Sequence, residues 1–149
     1  MNSLNHSPFA LVSEWFYEHL AGIGVRFGAE SYRIEVAPSF VDDLSWAEGT
    51  VETPLGPVEF RWKATDEGHE LSVAIPWNAD AHVSVPVGKS DADGDGATVA
   101  IDGETVWTDG ETVFADSETN RPAGVEDVSR NGDRVEIAVE PGDYVVRVE

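Results

Sequence analysis

The sequence has no cysteine and only two lysines, Lys63 and Lys89, among its 149 residues. Without thiols the chain can form no disulfide, no thiolate metal site and no cysteine nucleophile. Lysine and arginine together number 9 against 29 aspartates and glutamates, which gives a formal net charge of -20. Because nucleic acids and anionic membranes are bound through basic patches, this composition excludes both as partners.

Long apolar runs are lacking as well. No stretch of the sequence approaches the roughly 18 consecutive apolar residues that a membrane-spanning helix needs. Met1 is not followed by a charged segment and then an apolar one, as in a secretory signal peptide. We therefore expect a cytoplasmic protein.

The acidity of the chain calls for a physical explanation. Acidic chains are often disordered, but five tryptophans, six phenylalanines and alternating valines and isoleucines supply ample apolar surface for a core. A large net charge destabilises the compact state by self-repulsion. At about 1 M salt the screening length falls to about 3 Å, and most of that repulsion disappears. The composition therefore predicts adaptation to high salt and a halophilic source.

The segment before residue 24 has the pattern of one amphipathic helix. Ser7 and Pro8 suit the N-cap and the first helical position, and Gly22 and Gly24 suit the C-terminal stop. Apolar side chains recur between them at the spacing of one helical face. We predict a helix over residues 8–21. Its apolar face comprises Phe9, Val12, Trp15, Phe16, Leu20 and Ile23, with His19 beside Leu20.

The rest of the chain has an apolar period of two, which indicates strands. Turn signals, such as those at residues 54–57 and 102–103, separate the strands. Segment 108–124 is undecided between a short strand over 112–115 and a long loop. Short strands at regular intervals predict a mainly β fold, an antiparallel, jelly-roll-like sandwich. The predicted strands are 32–36, 46–52, 58–63, 70–75, 81–85, 97–101, 105–107, 134–139 and 144–148.

We divide the chain into a terminal segment with its helix, residues 1–24, and a β-sandwich domain, residues 25–149. No internal repeat and no second domain of independent size are visible in the sequence. We expect the helix and the sandwich to pack together, because an apolar helix face must be buried against something.

Motifs along the chain resemble the C-terminal region of bacterial α-L-rhamnosidases. They are Asn-Ser-Leu-Asn-His at residues 2–6, Glu-Trp-Phe-Tyr at 14–17, Leu-Ser-Trp-Ala at 44–47, Thr-Pro-Leu-Gly at 53–56, Phe-Arg-Trp at 60–62, Ile-Pro-Trp-Asn at 75–78 and Gly-Asp-Tyr at 142–144. The resemblance implies the last helix of an (α/α)6 barrel followed by a C-terminal β-sandwich. It also implies an enzyme that removes terminal α-L-rhamnose with inversion and without a cofactor.

The resemblance also implies which residues contact the sugar. His6 matches the histidine that lines the rhamnose subsite of this family, and Asn5 adjoins it. A neutral imidazole suits a sugar hydroxyl, since it can both donate and accept a hydrogen bond. The alternative is that Asn5 and His6 only cap the entrance of the helix. The two catalytic carboxylates of the family lie upstream of this motif, so we expect no catalytic residue here and no activity from the chain alone.

A second candidate site is an acidic loop. Asp91, Asp93 and Asp95, with Gly96 at position 6 and Asp102 at position 12, imitate a calcium loop. The alternative is a solvated acidic loop, since charge runs usually face solvent. Weak calcium binding is the one cofactor role that the sequence suggests. His19, His69 and His82 do not have the spacing of zinc ligands.

The tryptophans give the third candidate. We expect Trp46, Trp62 and Trp107, which lie on predicted strands, to be buried in the core. Trp77 lies in a turn and is the best candidate for an exposed ring that stacks on a sugar.

Two functions of different classes thus remain open at this point. The first is the C-terminal portion of a rhamnosidase-like glycosidase, and the alternative is a stand-alone carbohydrate-binding or structural β-sandwich module. The expected partners are a rhamnose-containing carbohydrate and a missing or separately encoded helical barrel, or else a second copy bound through the N-terminal helix.

Overall fold

A computed structural model describes residues 22–27, 32–87, 96–108, 110–113 and 121–149. The helix predicted over 8–21 lies outside these residues, and the described part of the chain consists of strands and turns. It contains no helix that could cross a membrane. The strands are β1 (Ile23–Phe27), β2 (Tyr32–Val36), β3 (Trp46–Thr53), β4 (Gly56–Ala64), β5 (His69–Ile75), β6 (Asp80–Pro86), β7 (Thr98–Ile101), β8 (Glu104–Thr108), β9 (Glu111–Thr112), β10 (Val125–Asn131), β11 (Arg134–Val139) and β12 (Gly142–Val148).

The strands form two sheets. One sheet has five strands in the order β1-β2-β6-β11-β10, and the other has seven in the order β3-β4-β5-β12-β7-β8-β9. Neighbouring strands are antiparallel with one exception, the parallel pair of β2 and β6. The mainly β prediction is therefore confirmed. The parallel pair corrects the expectation of a purely antiparallel sandwich, since alternation in a sequence does not reveal strand direction.

Alternation along each strand places one face in the core. In β4 the side chains of Val58, Phe60 and Trp62 are buried, while those of Glu59 and Arg61 between them are exposed. The buried apolar residues of both sheets belong to one cluster, and it contains no buried polar or charged side chain among the described residues. Apolar burial therefore holds the two sheets together.

Strand β1 corrects the prediction for the end of the N-terminal segment. Ile23 was assigned to the apolar face of the helix, but it pairs with Val36 across β1 and β2 and is 7% exposed. Gly22, just before it, has a φ of +56°, and its carbonyl accepts a hydrogen bond of 2.9 Å from the Ala37 N–H. A Cβ at Gly22 would collide with the Ala37 carbonyl, so this position requires glycine. The sheet therefore begins at Ile23.

Strand β10 was not predicted because it lacks a period of two. Val125 and Val128 are its buried residues, and they stand three positions apart. A register shift between Val125 and Asp127 accounts for this spacing, since a bulge adds one residue to one strand of a pair. As an edge strand, β10 exposes the rest of its side chains.

The hairpin predicted at Asp102-Gly103 is confirmed. Both residues have positive φ, +50° and +87°, as a type I′ turn requires. Oδ1 of Asp102 accepts a hydrogen bond of 2.9 Å from the Val145 N–H. The Asp102 N–H donates a bond of 2.8 Å to the Val145 carbonyl. The residue expected at position 12 of the calcium loop is thus bound to the backbone of β12.

Candidate functional site

The candidate site lies on the outer face, which we define as the solvent-facing side of strands β3, β4, β5 and β12. The strand registers align side chains there in rows across the sheet. One row runs from Glu48 through Arg61 and Ser72 to Val145. The next row runs from Thr50 through Glu59 and Ala74 to Asp143.

Short side chains at the centre of these rows create a depression. Ser72 and Ala74 on β5 are half-buried, whereas Glu59 and Arg61 on β4 and Asp143 on β12 are exposed and longer. The result is the outer groove, a depression of about 550 Å³. Small-molecule sites commonly have volumes in this range. The groove is lined by Glu48, Gly49, Thr50, Glu59, Phe60, Arg61, Ser72, Val73, Ala74, Asp143, Tyr144 and Val145.

Ion pairs close one end of the outer groove. Lys63 Nζ lies 2.8 Å from Oε1 of Glu70, and Arg147 Nε lies 2.9 Å from Oε2. The hydrogen bonds from Lys63 and Arg147 lower the pKa of Glu70. Its contribution to stability is therefore present above its unfolded pKa and is lost as the pH falls through its folded pKa. Arg61 Nε lies 3.6 Å from Glu48 Oε2 in a more exposed pair.

Trp77 stands at the opposite end of the groove. Its side chain is 86% exposed, in the turn that follows β5. Pro76 restricts the backbone before it, and Asn78 after it has a φ of +66°. The Trp77 pocket, a space of about 490 Å³, is lined by Leu55, Gly56, Pro57, Glu59, Ala74, Ile75, Pro76, Trp77 and Asn78.

The outer groove and the Trp77 pocket are adjacent, because Glu59 and Ala74 line both. The tip of the β3–β4 hairpin approaches the turn after β5 so closely that a Cβ at Gly56 would lie 3.0 Å from Pro76 Cβ. Two turns thus meet beside Trp77. The exposure expected for Trp77 is confirmed, and its role in binding stays a prediction.

Glu59 and Asp143 face each other across the groove. Both are neighbours of Ala74 on the outer face, on the strands to either side of it. A strand spacing of about 4.8 Å puts their Cα atoms roughly 10 Å apart. Neither carboxylate makes an ion pair or a side-chain hydrogen bond with any other described residue.

The other tryptophans divide between core and surface. Trp62 is fully buried and Trp107 is 4% exposed, as expected. Trp46 is 57% exposed, so its predicted burial was wrong. Ala47 pairs with Trp62 on the core side of the sheet, which turns Trp46 outward beside Lys63. In a regular stretch of strand, adjacent side chains point to opposite faces of the sheet, so Trp46 and Ala47 do not both face the core.

His69 serves packing rather than metal binding. His69 stacks on Phe40 with ring centroids 4.2 Å apart and meets the edge of Trp62 at 6.2 Å. Burial lowers the pKa of His69, and the nearby Asp42 carboxylate opposes this effect. No group of three or more histidines and carboxylates that could hold a metal ion occurs within the described ranges.

Five predicted site residues, Asn5, His6, Asp91, Asp93 and Asp95, lie outside the described residues. The structure places Ala74 in the Trp77 pocket and Ser72 and Asp143 in the outer groove, and none of these three was predicted as a site residue. The sequence did contain a signal for Ser72 and Ala74. These small residues alternate with Leu71, Val73 and Ile75, which face the core, so Ser72 and Ala74 belong to the outer face of β5.

A family model matches residues 24–99, more than half of the chain, and its description is bacterial alpha-L-rhamnosidase C-terminal domain. The alpha-L-rhamnosidase of Alteromonas sp. (strain LOR) is 35% identical over 86 residues, which are 58% of this chain and 9% of that protein. An alpha-L-rhamnosidase of Formosa agariphila is 35% identical over 92 residues, 62% of this chain and 10% of that protein. The chain thus spans about a tenth of the length of the curated relatives it matches.

Solved structures show the same fold. The alpha-L-rhamnosidase of Dictyoglumus thermophilum superposes with a TM-score of 0.70 and 26% identity, covering 100% of this chain and 14% of that one. The Streptomyces avermitilis alpha-L-rhamnosidase, crystallised with L-rhamnose, superposes with a TM-score of 0.63 and 21% identity. This superposition covers 98% of the chain described here and 12% of the Streptomyces avermitilis chain.

Proposed function

Because this chain belongs to the bacterial α-L-rhamnosidase C-terminal domain family, we propose that it is the non-catalytic β-sandwich of an enzyme that hydrolyses terminal α-L-rhamnosides with inversion. The family match over residues 24–99 carries this proposal. The substrate is a rhamnose-containing carbohydrate, and no cofactor takes part. Asn5 and His6 would contribute to the sugar subsite from the terminal segment.

The geometry of the outer face supports a non-catalytic role. A general acid of a glycosidase has a raised pKa, which burial commonly provides. Glu59 and Asp143, by contrast, are exposed to solvent on the outer face. Glu70 is held as a carboxylate by Lys63 and Arg147, which lower its pKa.

The purified chain is expected to release no 4-nitrophenol from 4-nitrophenyl α-L-rhamnopyranoside above the buffer rate. The best-placed pair of carboxylates in the described region, Glu59 and Asp143, supplies the control variants Glu59→Gln and Asp143→Asn. The same three samples are measured in parallel by absorbance. Turnover by the parent chain that is lost in either variant would contradict the proposal.

The second part of the proposal concerns a helical partner. A barrel, in the same polypeptide or separately encoded, would pack against the sandwich. Three exposed apolar side chains, Val41, Leu44 and Trp46, lie within six residues of one another and offer a surface for such a contact. A second copy bound through the N-terminal helix is the alternative partner.

The size of the native polypeptide tests this second part. An antibody raised against residues 22–149 is expected to detect, in cells that express the gene, a polypeptide about as long as the curated relatives. A 16.1 kDa band that co-purifies with a separate barrel chain would identify a two-chain enzyme instead. A 16.1 kDa band that purifies alone would contradict both arrangements.

We also propose that the chain functions at high salt. The net charge of -20 supports this, together with the restriction of charged side chains to the surface of the described region.

A further inference from the structure

We propose that the outer groove and the Trp77 pocket together bind an uncharged oligosaccharide. This binding site would operate whether or not the chain takes part in rhamnoside hydrolysis. Three observations carry the proposal, namely an exposed aromatic ring, free hydrogen-bond acceptors in the adjacent groove and the charge balance of the outer face.

The exposed ring is that of Trp77. An indole that is 86% exposed leaves a large apolar surface in water, where it stabilises nothing in the fold. The turn holds it between Pro76 and the left-handed Asn78, so the ring is attached to a restricted backbone. A flat ring presented in this way offers a stacking surface to the apolar face of a pyranose.

The acceptors lie in the groove next to the Trp77 pocket. Glu59 lines both the groove and the pocket, and Asp143 stands across Ala74 from it. Their carboxylates have no partner among the described residues and accept hydrogen bonds from hydroxyl groups. The hydroxyl of Ser72, one row away, can both donate and accept. Hydroxyl-rich sugars match this arrangement.

The charge of the outer face disfavours an anionic ligand. Three of the nine basic residues of the chain lie on it, and each is paired with a glutamate: Lys63 and Arg147 with Glu70, and Arg61 with Glu48. Glu59 and Asp143 remain without a counter-charge, so an anionic polysaccharide would be repelled. An uncharged sugar meets no such penalty.

The dimensions of the site favour several sugar units over one. Ser72 and Trp77 are five residues apart along β5 and its turn, which sets an upper limit of roughly 16 Å, the length of an extended chain. The groove and the pocket measure about 550 and 490 Å³. Each falls within the range of small-molecule sites, so a linear oligosaccharide can occupy both.

Isothermal titration calorimetry of the full chain tests the proposal. The probes are an α-linked L-rhamnose tetrasaccharide and cellohexaose, with polygalacturonate as the anionic comparison. We expect at least one uncharged probe to bind with a Kd of about 1 mM or tighter, and no binding of polygalacturonate. Trp77→Ala should weaken the binding at least about tenfold, as for other aromatic stacking contacts.

Two further variants separate this site from a general loss of folding. Trp46→Ala removes another exposed indole, in the row of Lys63 and Glu70 at the end of the groove away from Trp77, and should change the Kd by less than about twofold. Ala74→Leu fills the floor that groove and pocket share and should abolish binding while the chain stays folded. Failure of both uncharged probes to bind, or equal affinity of the parent and Trp77→Ala, overturns the proposal. Neither result depends on rhamnoside turnover, so the proposed function is judged separately.

Discussion

Replacing Trp62 with alanine is expected to lower the free energy of unfolding by about 3–5 kcal/mol, a large part of the stability of a domain this size. Trp62 is the largest fully buried side chain among the described residues and lies on β4, an interior strand of the seven-stranded sheet. Phe40 packs against it edge to face, with ring centroids 5.5 Å apart. Removing the indole leaves a cavity that these neighbours cannot fill, and urea denaturation followed by circular dichroism measures the loss.

Two other variants control this experiment. Trp46→Ala deletes the same side chain at a 57% exposed position and should cost less than about 1 kcal/mol. Trp62→Phe keeps an aromatic ring and removes the Nε1–H, which has no hydrogen-bond partner among the described residues. An unpaired buried donor costs about 1–3 kcal/mol, so phenylalanine should lose less than half of what alanine loses. Equal losses for Trp62→Ala and Trp46→Ala would show that burial does not set the stability.

The sequence predicted strands well where each buries alternate residues. Strand β11 was predicted with the bounds that the structure gives, Arg134–Val139, and β4 and β5 to within two residues at each end. The failures have separate physical causes. The bulge in β10 changes the spacing of its buried residues to three, and Ile23 of β1 follows a segment with helical periodicity. Sheet order, including the parallel contact of β2 with β6, depends on pairings between distant residues and has no local signal.

The candidate site was only partly predictable for a similar reason. The exposure of Trp77 followed from its position in a turn, which is local information. The groove depends on register, because Glu59 and Asp143 are 84 positions apart in the sequence and meet only through the pairing of β5 with both β4 and β12. Trp46 shows the same limit, since composition favours burial of an indole and only the register with β4 turns it outward.

Ionic strength is expected to have the other large effect on stability. The chain should unfold at a temperature at least about 10 °C higher in 2 M KCl than in 0.1 M KCl, because screening suppresses repulsion among surface acids. The net charge is -20, and the described core holds no charged side chain, so the repulsion acts at the surface where salt reaches it. Salt also weakens exposed ion pairs such as Arg61–Glu48, but each is worth only about 0–1 kcal/mol. Repulsion from the excess acids therefore dominates, and differential scanning calorimetry at several KCl concentrations measures the shift.

A charge-reduced variant distinguishes screening from other effects of salt. Five exposed glutamates outside the ion pairs described above are changed together to glutamine, which preserves size and polarity while lowering the negative charge. This variant should melt at a higher temperature than the parent in 0.1 M KCl and gain less from 2 M KCl, since it has less repulsion to screen. An equal gain for both proteins would assign the effect to strengthened apolar burial, and equal melting temperatures of the parent at both salt concentrations would refute the proposed adaptation. The substituted residues are Glu52, Glu59, Glu104, Glu111 and Glu126.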